Sequence, residues 1–347
     1  MRSFRDRDFL QTKEGFFFCV VGTMHPPDRV VSYIKYVPSQ TGNWGTDKEK
    51  FSRILQKYTI PNLLETFNFL KQNYPQYIFH SPVDNITVTA VPLQNIKTHY
   101  KPEQKLAQLR ETKQLDSLQQ KLVNVTQQLE QISGIKQEMF GVTGSLLLDI
   151  HNPKFSDIDI TVYGTKNSWK LKNALTEQGS KAPIKRLEGK QLEEWSNKKT
   201  MDYPVTANEA SRIYERKWNL GRFEDTWVSI HPVKLESELT ERYGQKTFTP
   251  MGQVTIRAVV VDNTDSLFLP AVYKIKDAEF IEGKQQHPVT EVVAYETLYD
   301  SIAENGETIQ VKGKLEKVNE KENSQQHYRI LVGSAEGKGK EYIKRIK

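Results

Sequence analysis

The segment from Phe140 to Gly164 constrains the fold more than any other part of this chain of 347 residues. It contains a Gly144-Ser145 turn before three leucines, and then an Asp-Ile-Asp-Ile-Thr-Val-Tyr run that begins at Asp157. Successive side chains of a β-strand point to opposite faces, so Asp157 and Asp159 share one face and the two isoleucines share the other. The run therefore predicts a strand with one apolar face on a core and one face that carries two carboxylates.

A pair of carboxylates on one strand face has a chemical consequence. Asp157 and Asp159 repel each other unless a cation lies between them, and clustered carboxylate oxygens are ligands that suit Mg²⁺. A glycine turn lets the backbone approach a phosphate closely, so Gly144 and the Ser145 hydroxyl are predicted to hold phosphate oxygens. The segment therefore predicts a site for Mg²⁺, or Mn²⁺, and a phosphate-bearing ligand.

The first 244 residues show mixed helical and strand patterns. Residues 1–99 are predicted to form an N-terminal α+β module, and residues 100–244 a second domain around the carboxylate strand. Pro61 interrupts one helical pattern and Gly134 ends another. The patterns predict strands at 15–22, 29–37, 85–91 and 226–233, and helices within 47–74, 103–132, 167–178 and 205–216.

After residue 245 the patterns are those of strands. Residues 245–334 are predicted to form a C-terminal all-β domain, either OB-like or another small barrel. Residues 335–347, which begin Ala-Glu-Gly-Lys-Gly-Lys, are predicted to be a flexible basic tail. The expected fold class is therefore α+β and multidomain. The C-terminal strands are expected at 254–261, 271–275, 308–318 and 327–332.

Composition narrows the class of protein and its partners. The net charge of +6 is compatible with nucleotide or nucleic-acid partners, and equally with a lysine-rich surface. Cys19 is the only cysteine, which excludes an intramolecular disulfide and a cysteine-based metal cluster. No apolar run approaches the roughly 18 residues of a membrane-spanning helix, and the first residues lack a signal-peptide pattern. We therefore expect a cytoplasmic protein that does not enter the membrane.

The Gly144-Ser145 turn followed by the Asp157-x-Asp159 strand resembles the signature of the DNA polymerase beta nucleotidyltransferase superfamily. That superfamily includes tRNA nucleotidyltransferases and poly(A) polymerases. Most of the chain is also similar to an archaeal family of predicted nucleotidyltransferases, whose N-terminal module begins near the Phe4-to-Asp8 segment and which ends in a β domain. The resemblance implies a nucleotidyltransferase-type mixed sheet with helices in the region 100–244.

The resemblance also assigns roles to individual residues. Gly144 and Ser145 would bind the triphosphate of a nucleoside triphosphate (NTP). Asp157 and Asp159 would be the catalytic pair that holds Mg²⁺ or Mn²⁺. The implied reaction is transfer of a nucleotidyl group from an NTP to a hydroxyl of RNA, of a protein or of a small molecule.

The superfamily uses a third carboxylate on a later strand, and the sequence departs from the pattern there. The strand at 226–233 has no carboxylate at its centre. Asp225 takes the third catalytic position if the strand begins early; otherwise His231 or Ser229 takes it. His231 as a third metal ligand would favour Mn²⁺ over Mg²⁺.

Basic and aromatic residues supply further candidates for ligand binding. Arg216, Lys217 and Arg222 lie in a basic and aromatic stretch before the strand at 226–233 and are candidates for nucleotide phosphate contacts. A solvated helix end gives the same pattern. In an OB-like C-terminal domain, Tyr273 or Tyr328 would stack on the bases of a single nucleic-acid strand.

Two functions of different class stay open from the sequence. One is a nucleotidyltransferase. The other is a catalytically weak or inactive protein that binds a nucleotide or RNA on the same fold. A third carboxylate near Asp157 and Asp159 would favour the enzyme. A minimal toxin-type transferase is disfavoured because the chain has several predicted domains. The sequence gives neither the preferred NTP nor the oligomeric state.

Overall fold

A computed structural model describes residues 2–46, 48–283, 287–322 and 324–346. The α-helices in these residues are α1 (Ile60–Asn73), α2 (Pro102–Glu111), α3 (Ser117–Ser133), α4 (Gly144–Leu147), α5 (Thr165–Gln178), α6 (Gly189–Asp202) and α7 (Ala207–Arg216). The strands are β1 (Phe9–Thr12), β2 (Phe17–Val20), β3 (Arg29–Pro38), β4 (Trp44–Gly45), β5 (Lys50–Arg53), β6 (Ile78–Ser81), β7 (Ile86–Pro92), β8 (Ile96–Tyr100), β9 (Phe140–Thr143), β10 (Ile158–Tyr163), β11 (Leu220–Phe223), β12 (Thr226–Val233), β13 (Lys246–Asp262), β14 (Ala271–Glu282), β15 (Val289–Ala294), β16 (Thr308–Glu320), β17 (Gln326–Val332) and β18 (Tyr342–Ile346). The fold is α+β with several sheets.

The chain folds into two compact units, each assembled from three segments. The first unit comprises residues 1–56, 89–187 and 218–239. The second comprises residues 57–88, 188–217 and 240–347. This division differs from the sequence boundaries at 99 and 244, because segments far apart in sequence pair with one another inside each unit.

The N-terminal part of the first unit is an antiparallel sheet in the order β4-β5-β3-β2-β1-β8. The strands predicted at 15–22 and 29–37 are present as β2 and β3, which pair antiparallel and bury Cys19 opposite Tyr33. The helix predicted over 47–74 was wrong in its first half, since β5 occupies 50–53 and α1 begins at Ile60. Asp47, the predicted start of that helix, lies outside the described residues.

The carboxylate strand lies in a second sheet of the first unit, in the order β11-β12-β10-β9. Strand β10 runs parallel to β12 and antiparallel to β9. Ile158 and Ile160 are fully buried, as the alternation predicts. The helical pattern over 103–132 forms α2 and α3, and α3 begins with a capping box at Asp116 and ends at Gly134, whose φ is 58°.

The C-terminal part of the second unit is a closed circuit of five strands. Strand β13 pairs with β14, β14 with β15, β15 with β17, β17 with β16, and β16 returns to β13. All these pairs are antiparallel except β15 with β17. Side chains of Ile256, Tyr273 and Ile330 lie fully buried in the core of this barrel.

The structure corrects two predictions for the second unit. The residues predicted as a basic tail include β18, which pairs with residues 308–312 of β16 and buries Ile343; Lys347 lies outside the described residues. Helix α6 was not predicted, and it packs against α7 through Trp195 and Tyr214, whose ring centroids are 5.0 Å apart.

Candidate active site

Strand pairing brings the residues of the candidate site together around Asp159. In β10, Asp159 lies opposite Thr143 of β9 on one side and opposite Ser229 of β12 on the other. Gly144 follows Thr143 directly. The central strand thus carries a carboxylate between the glycine turn and the strand where the third ligand was expected.

Two features require glycine at position 144: its backbone conformation and the nearby carboxylate of Asp159. Its φ of +69° is in the left-handed region. A Cβ at this position would stand 2.5 Å from Oδ2 of Asp159, far inside van der Waals contact. Ser145, the next residue, lies in α4 and is only 8% exposed. The glycine turn and the carboxylate therefore form one site.

A hydrogen-bond chain runs from β12 to Asp159. The Ser229 hydroxyl donates to Oδ1 of Asp159, and it lies 2.8 Å from Nε2 of His231. Because Ser229 gives its only proton to the carboxylate, its oxygen accepts from Nε2, which places a proton on that nitrogen. His231 is thus held beside Asp159 as a hydrogen-bond donor through Ser229.

This arrangement differs from a Ser-His-Asp hydrolytic triad. In such a triad the histidine contacts the serine with one ring nitrogen and the aspartate with the other. Here Nε2 of His231 faces both groups, at 2.8 Å from Ser229 Oγ and 3.5 Å from Asp159 Oδ1. The serine proton also points to the carboxylate, so Ser229 is not activated as a nucleophile by His231.

The two carboxylates differ in their pKa. The pKa of Asp157 is raised to about 6, by the surrounding protein and by the negative charge of Asp159, while Arg53 and Lys35 act in the opposite direction. Its side chain nevertheless remains exposed to solvent. Burial alone would raise the pKa of Asp159, but hydrogen bonds from His231 and Ser229 outweigh it and lower the pKa.

The pKa of His231 is lowered, first by burial and then by the positive charge of Arg7. At neutral pH the site therefore holds a neutral imidazole beside an ionised Asp159. The hydrogen bonds from His231 and Ser229, together with the positive charge of Lys35, keep that carboxylate ionised.

The N-terminal segment adds charged residues that the sequence analysis did not assign to the site. The Arg7 carbonyl accepts a 2.7 Å hydrogen bond from the hydroxyl of Thr143, the residue before the glycine turn. Arg7 has a φ of 69°, which is rare for a residue other than glycine. Its Nε lies 3.2 Å from the buried carboxylate of Asp6. The Arg-Asp-Arg-Asp run at 5–8 was a visible signal, but nothing local places it beside residue 143.

The structure does not bring Asp225 to the carboxylate pair. Asp225 lies in the turn between β11 and β12, where Glu224 adopts a φ of 53°. Its side chain is 81% exposed and forms an ion pair with Lys121 of α3. Since Ser229 follows four residues later in an extended strand, roughly 13 Å separates the two positions. Asp225 as the third catalytic carboxylate is therefore wrong.

The three basic candidates are engaged elsewhere. Arg222 donates to the Asp225 carbonyl and lies over the Trp227 ring at 5.4 Å, so it belongs to the β11–β12 hairpin. Arg216 and Lys217 belong to the second unit. Their partners are carboxylates of that unit: Arg216 pairs with Glu304 and Glu307, and buried Lys217 pairs with Asp300.

The donor chemistry of the pair fits a hard divalent cation. Burial is the largest cause of the raised pKa of Asp157, and the negative charge of Asp159 is the second; a cation between the carboxylates would offset that second cause. In the described part of the chain, no group of three His, Cys, Asp or Glu side chains is placed to hold a metal ion. His231, predicted as a ligand, instead directs Nε2 into the hydrogen bond with Ser229. Asp157 and Asp159 are thus the two candidate ligands.

The chain is similar to the uncharacterized protein MJ1086 of Methanocaldococcus jannaschii, with 29% identity over 344 residues that cover 98% of both chains. No family model matches the chain. No solved structure matches it. Among the described residues, no helix is long and apolar enough to cross a membrane. The similarity extends over the segments of both compact units, and the relative's name gives no activity.

Proposed function

We propose that the chain is a nucleotidyltransferase that binds an NTP at the Gly144 turn and the Asp157–Asp159 pair. One observation carries the proposal. The carboxylate of Asp159 stands where a side chain at residue 144 would be, so a turn suited to phosphate and a pair suited to a cation meet at one place.

The connectivity of the sheet supports the same function. The Gly144 turn leads from β9 into α4, the chain then reaches β10, and β12 is the parallel neighbour of β10. This order of elements is the one that the resemblance to the polymerase beta superfamily implies for its core. Ser229 stands on β12 opposite Asp159, where a third carboxylate would be expected.

The residues have distinct roles in the proposed reaction. Asp157 and Asp159 would hold Mg²⁺ or Mn²⁺, which neutralises charge on the triphosphate when bound. In this proposal the backbone of the Gly144 turn holds phosphate oxygens, while Ser229 and His231 keep Asp159 ionised and in place. An acceptor hydroxyl then attacks the α-phosphorus, diphosphate leaves, and the hydroxyl proton passes to solvent.

The barrel of the second unit supports a nucleic acid among the possible acceptors. Its circuit, with β15 parallel to β17 and β13 paired with β16, has the strand order of an OB fold. Tyr273 is fully buried and donates to the Tyr299 carbonyl, so its predicted stacking role is wrong. Tyr328 is stacked on His287 at 4.2 Å and remains the aromatic candidate for single-stranded RNA.

The decisive experiment is label transfer. The protein is incubated with each α-labelled NTP, total RNA and protein, and either Mg²⁺ or Mn²⁺. We expect α-labelled NTP to label one acceptor class and γ-labelled NTP to label none. In Asp159→Asn the rate of label transfer should fall by at least about 100-fold. Asp225→Asn is the matched control, because Asp225 lies in an exposed turn, and it should keep full transfer. Equal loss in both variants would contradict the assignment of the site.

A second candidate is nucleotide or RNA binding without turnover. The observation that favours it is the hydroxyl of Ser229, rather than a carboxylate, opposite Asp159. In that case an NTP with Mg²⁺ raises the melting temperature through mass action, yet no label is transferred. Ser229→Asp supplies the missing carboxylate. A gain of Mg²⁺-dependent transfer in this variant would identify the wild-type chain as a binder that lacks one catalytic group.

A further inference from the structure

We propose that the rings of Trp44 and Phe155, together with Arg53, form the nucleobase subsite of the nucleotide site. This inference rests on the proposed function. It names the residues that would contact the base of an NTP, which neither the glycine turn nor the carboxylates would contact.

Phe155 is an exposed aromatic residue two positions before Asp157. It lies in the turn before β10, where its backbone N–H donates to the Asn152 carbonyl at 3.1 Å. Ser156 tightens the turn by accepting from the Asn152 N–H at 2.9 Å. The Phe155 side chain is 49% exposed. Its Cα is at most about 7 Å from that of Asp157, two residues later.

Trp44 completes an aromatic corner with Phe155. The two ring centroids are 5.7 Å apart with the planes at 87°, and the Trp44 ring in turn contacts Tyr36 at 5.7 Å. Gly45, the residue after Trp44, donates its N–H to the Ile150 carbonyl at 2.7 Å. The corner is therefore held by both of the segments that form it.

Arg53 adds a positive charge to this group of residues. It lies opposite Tyr36 in the β3–β5 ladder, and its Nε donates to the Leu55 carbonyl at 2.7 Å. Its charge acts on the carboxyl of Asp157. These residues thus combine aromatic rings, a cation and a carboxylate pair. The rings complement the base of a nucleotide, the cation complements its phosphates, and the carboxylates complement its metal ion.

The test compares ATP with inorganic triphosphate, which has no base. Binding of each is measured by calorimetry with Mg²⁺ for the wild type, Phe155→Ala and Phe155→Leu. Both variants should bind ATP about tenfold more weakly, since base–aromatic stacking has roughly that effect, and should bind triphosphate as the wild type does. Leu93→Ala is the control, because Leu93 is a comparably exposed apolar residue, 44% exposed, in the first unit.

Trp44 offers an independent readout. ATP should quench part of the tryptophan fluorescence of the chain, which has five tryptophans, and triphosphate should not. The quenched component should be absent in Trp44→Phe when ATP is added at a saturating concentration.

Three results would overturn the subsite. Unchanged ATP affinity in Phe155→Ala and Phe155→Leu, with triphosphate still competing for ATP, would place the base elsewhere and leave the proposed function intact. An equal loss for ATP and triphosphate would show that the turn, rather than a base contact, was disturbed. If the wild type binds neither ligand, the proposed function fails and the subsite fails with it.

Discussion

The barrel of the second unit and the candidate site of the first unit arrange charged side chains in opposite ways. In the barrel, the carboxylate of Glu316 is 1% exposed and lies 2.8 Å from the Arg329 guanidinium and 3.2 Å from Lys314 Nζ. In the first unit, Asp157 precedes a strand whose Asp159 carries the same charge on the same face. The barrel places opposite charges together, whereas the candidate site places like charges together.

Strand register shows the same contrast. Lys274 lies directly opposite Glu291 in the barrel, and Glu316 directly opposite Arg329, which are favourable cross-strand pairs. Burial opposes ionisation of Glu291, but His327 and Lys274 outweigh it and lower its pKa to about 2. The pKa of Asp157 moves the other way, to about 6.

This contrast distinguishes charged residues that stabilise the fold from charged residues that are placed to bind a ligand. A buried carboxylate in contact with a cationic side chain is ionised without a ligand, and removing that carboxylate destabilises the fold. A carboxylate pair without a cation between its members costs stability until something binds there.

Glu316→Leu should have the largest effect. The variant leaves the buried Lys314 with the more distant and exposed Glu336, at 3.4 Å, and it removes a carboxylate partner of Arg329. Breaking a buried pair costs about 3–5 kcal/mol. The measurement is the shift of the urea unfolding transition. Lys276→Ala removes an exposed pair with Asp277 and should shift it by less than about 1 kcal/mol. Similar shifts in both variants would remove the contrast.

Gly144→Ala should have the next largest effect, and Gly22→Ala is its matched control. Both glycines have a φ of +69°, but a Cβ at Gly22 meets nothing within 4 Å, whereas at Gly144 it meets Asp159 Oδ2 at 2.5 Å. The backbone strain of about 1–2 kcal/mol is common to both. Only Gly144→Ala should also displace the carboxylate and abolish NTP binding. Retained NTP affinity in Gly144→Ala, measured by calorimetry, would separate the turn from the site.

Local sequence pattern predicted those parts of the site that lie on single strands. Alternation predicted a shared face for Asp157 and Asp159 and for Ser229 and His231, because side-chain direction in a strand depends only on parity. Asp159 lies in β10, and Asp157 directly precedes that strand. The Gly144 turn followed from the same segment. These residues were within reach of sequence reasoning without any knowledge of long-range contacts.

The remaining parts depended on tertiary contacts or on turn geometry. Arg7 reaches Thr143 across 136 positions of sequence separation, and no periodicity reports such a contact. The predicted position of Asp225 was wrong because Glu224 adopts a positive φ. Glu224 and Asp225 therefore form a tight hairpin turn, although parity alone would extend β12 back to Asp225. Strand β18 was missed because the glycines and lysines before it suggested a tail.

Asp157→Asn gives the smallest and most specific prediction. The folded protein raises the pKa of Asp157 from 3.8 to about 6, so it binds the proton more tightly than the unfolded chain does. Stability from this group is therefore complete below pH 3.8 and is lost as the pH rises through about 6. Asparagine does not titrate, so at pH 7 without a divalent cation the variant should be more stable by up to ~1 kcal/mol, a value reduced for the exposure of the side chain.

Mg²⁺ should reverse this ranking, because only the wild type has both carboxylates and gains stability through binding. Melting temperatures measured from pH 4 to pH 7, with and without Mg²⁺, test both statements. Asp225→Asn is the control of opposite sign: the hydrogen bond from Lys121 lowers the pKa of Asp225, so its contribution is lost as the pH falls. A variant Asp157→Asn that is less stable than the wild type at pH 7 without Mg²⁺ would show that the pair is already compensated. The candidate site would then resemble the barrel in its treatment of charge.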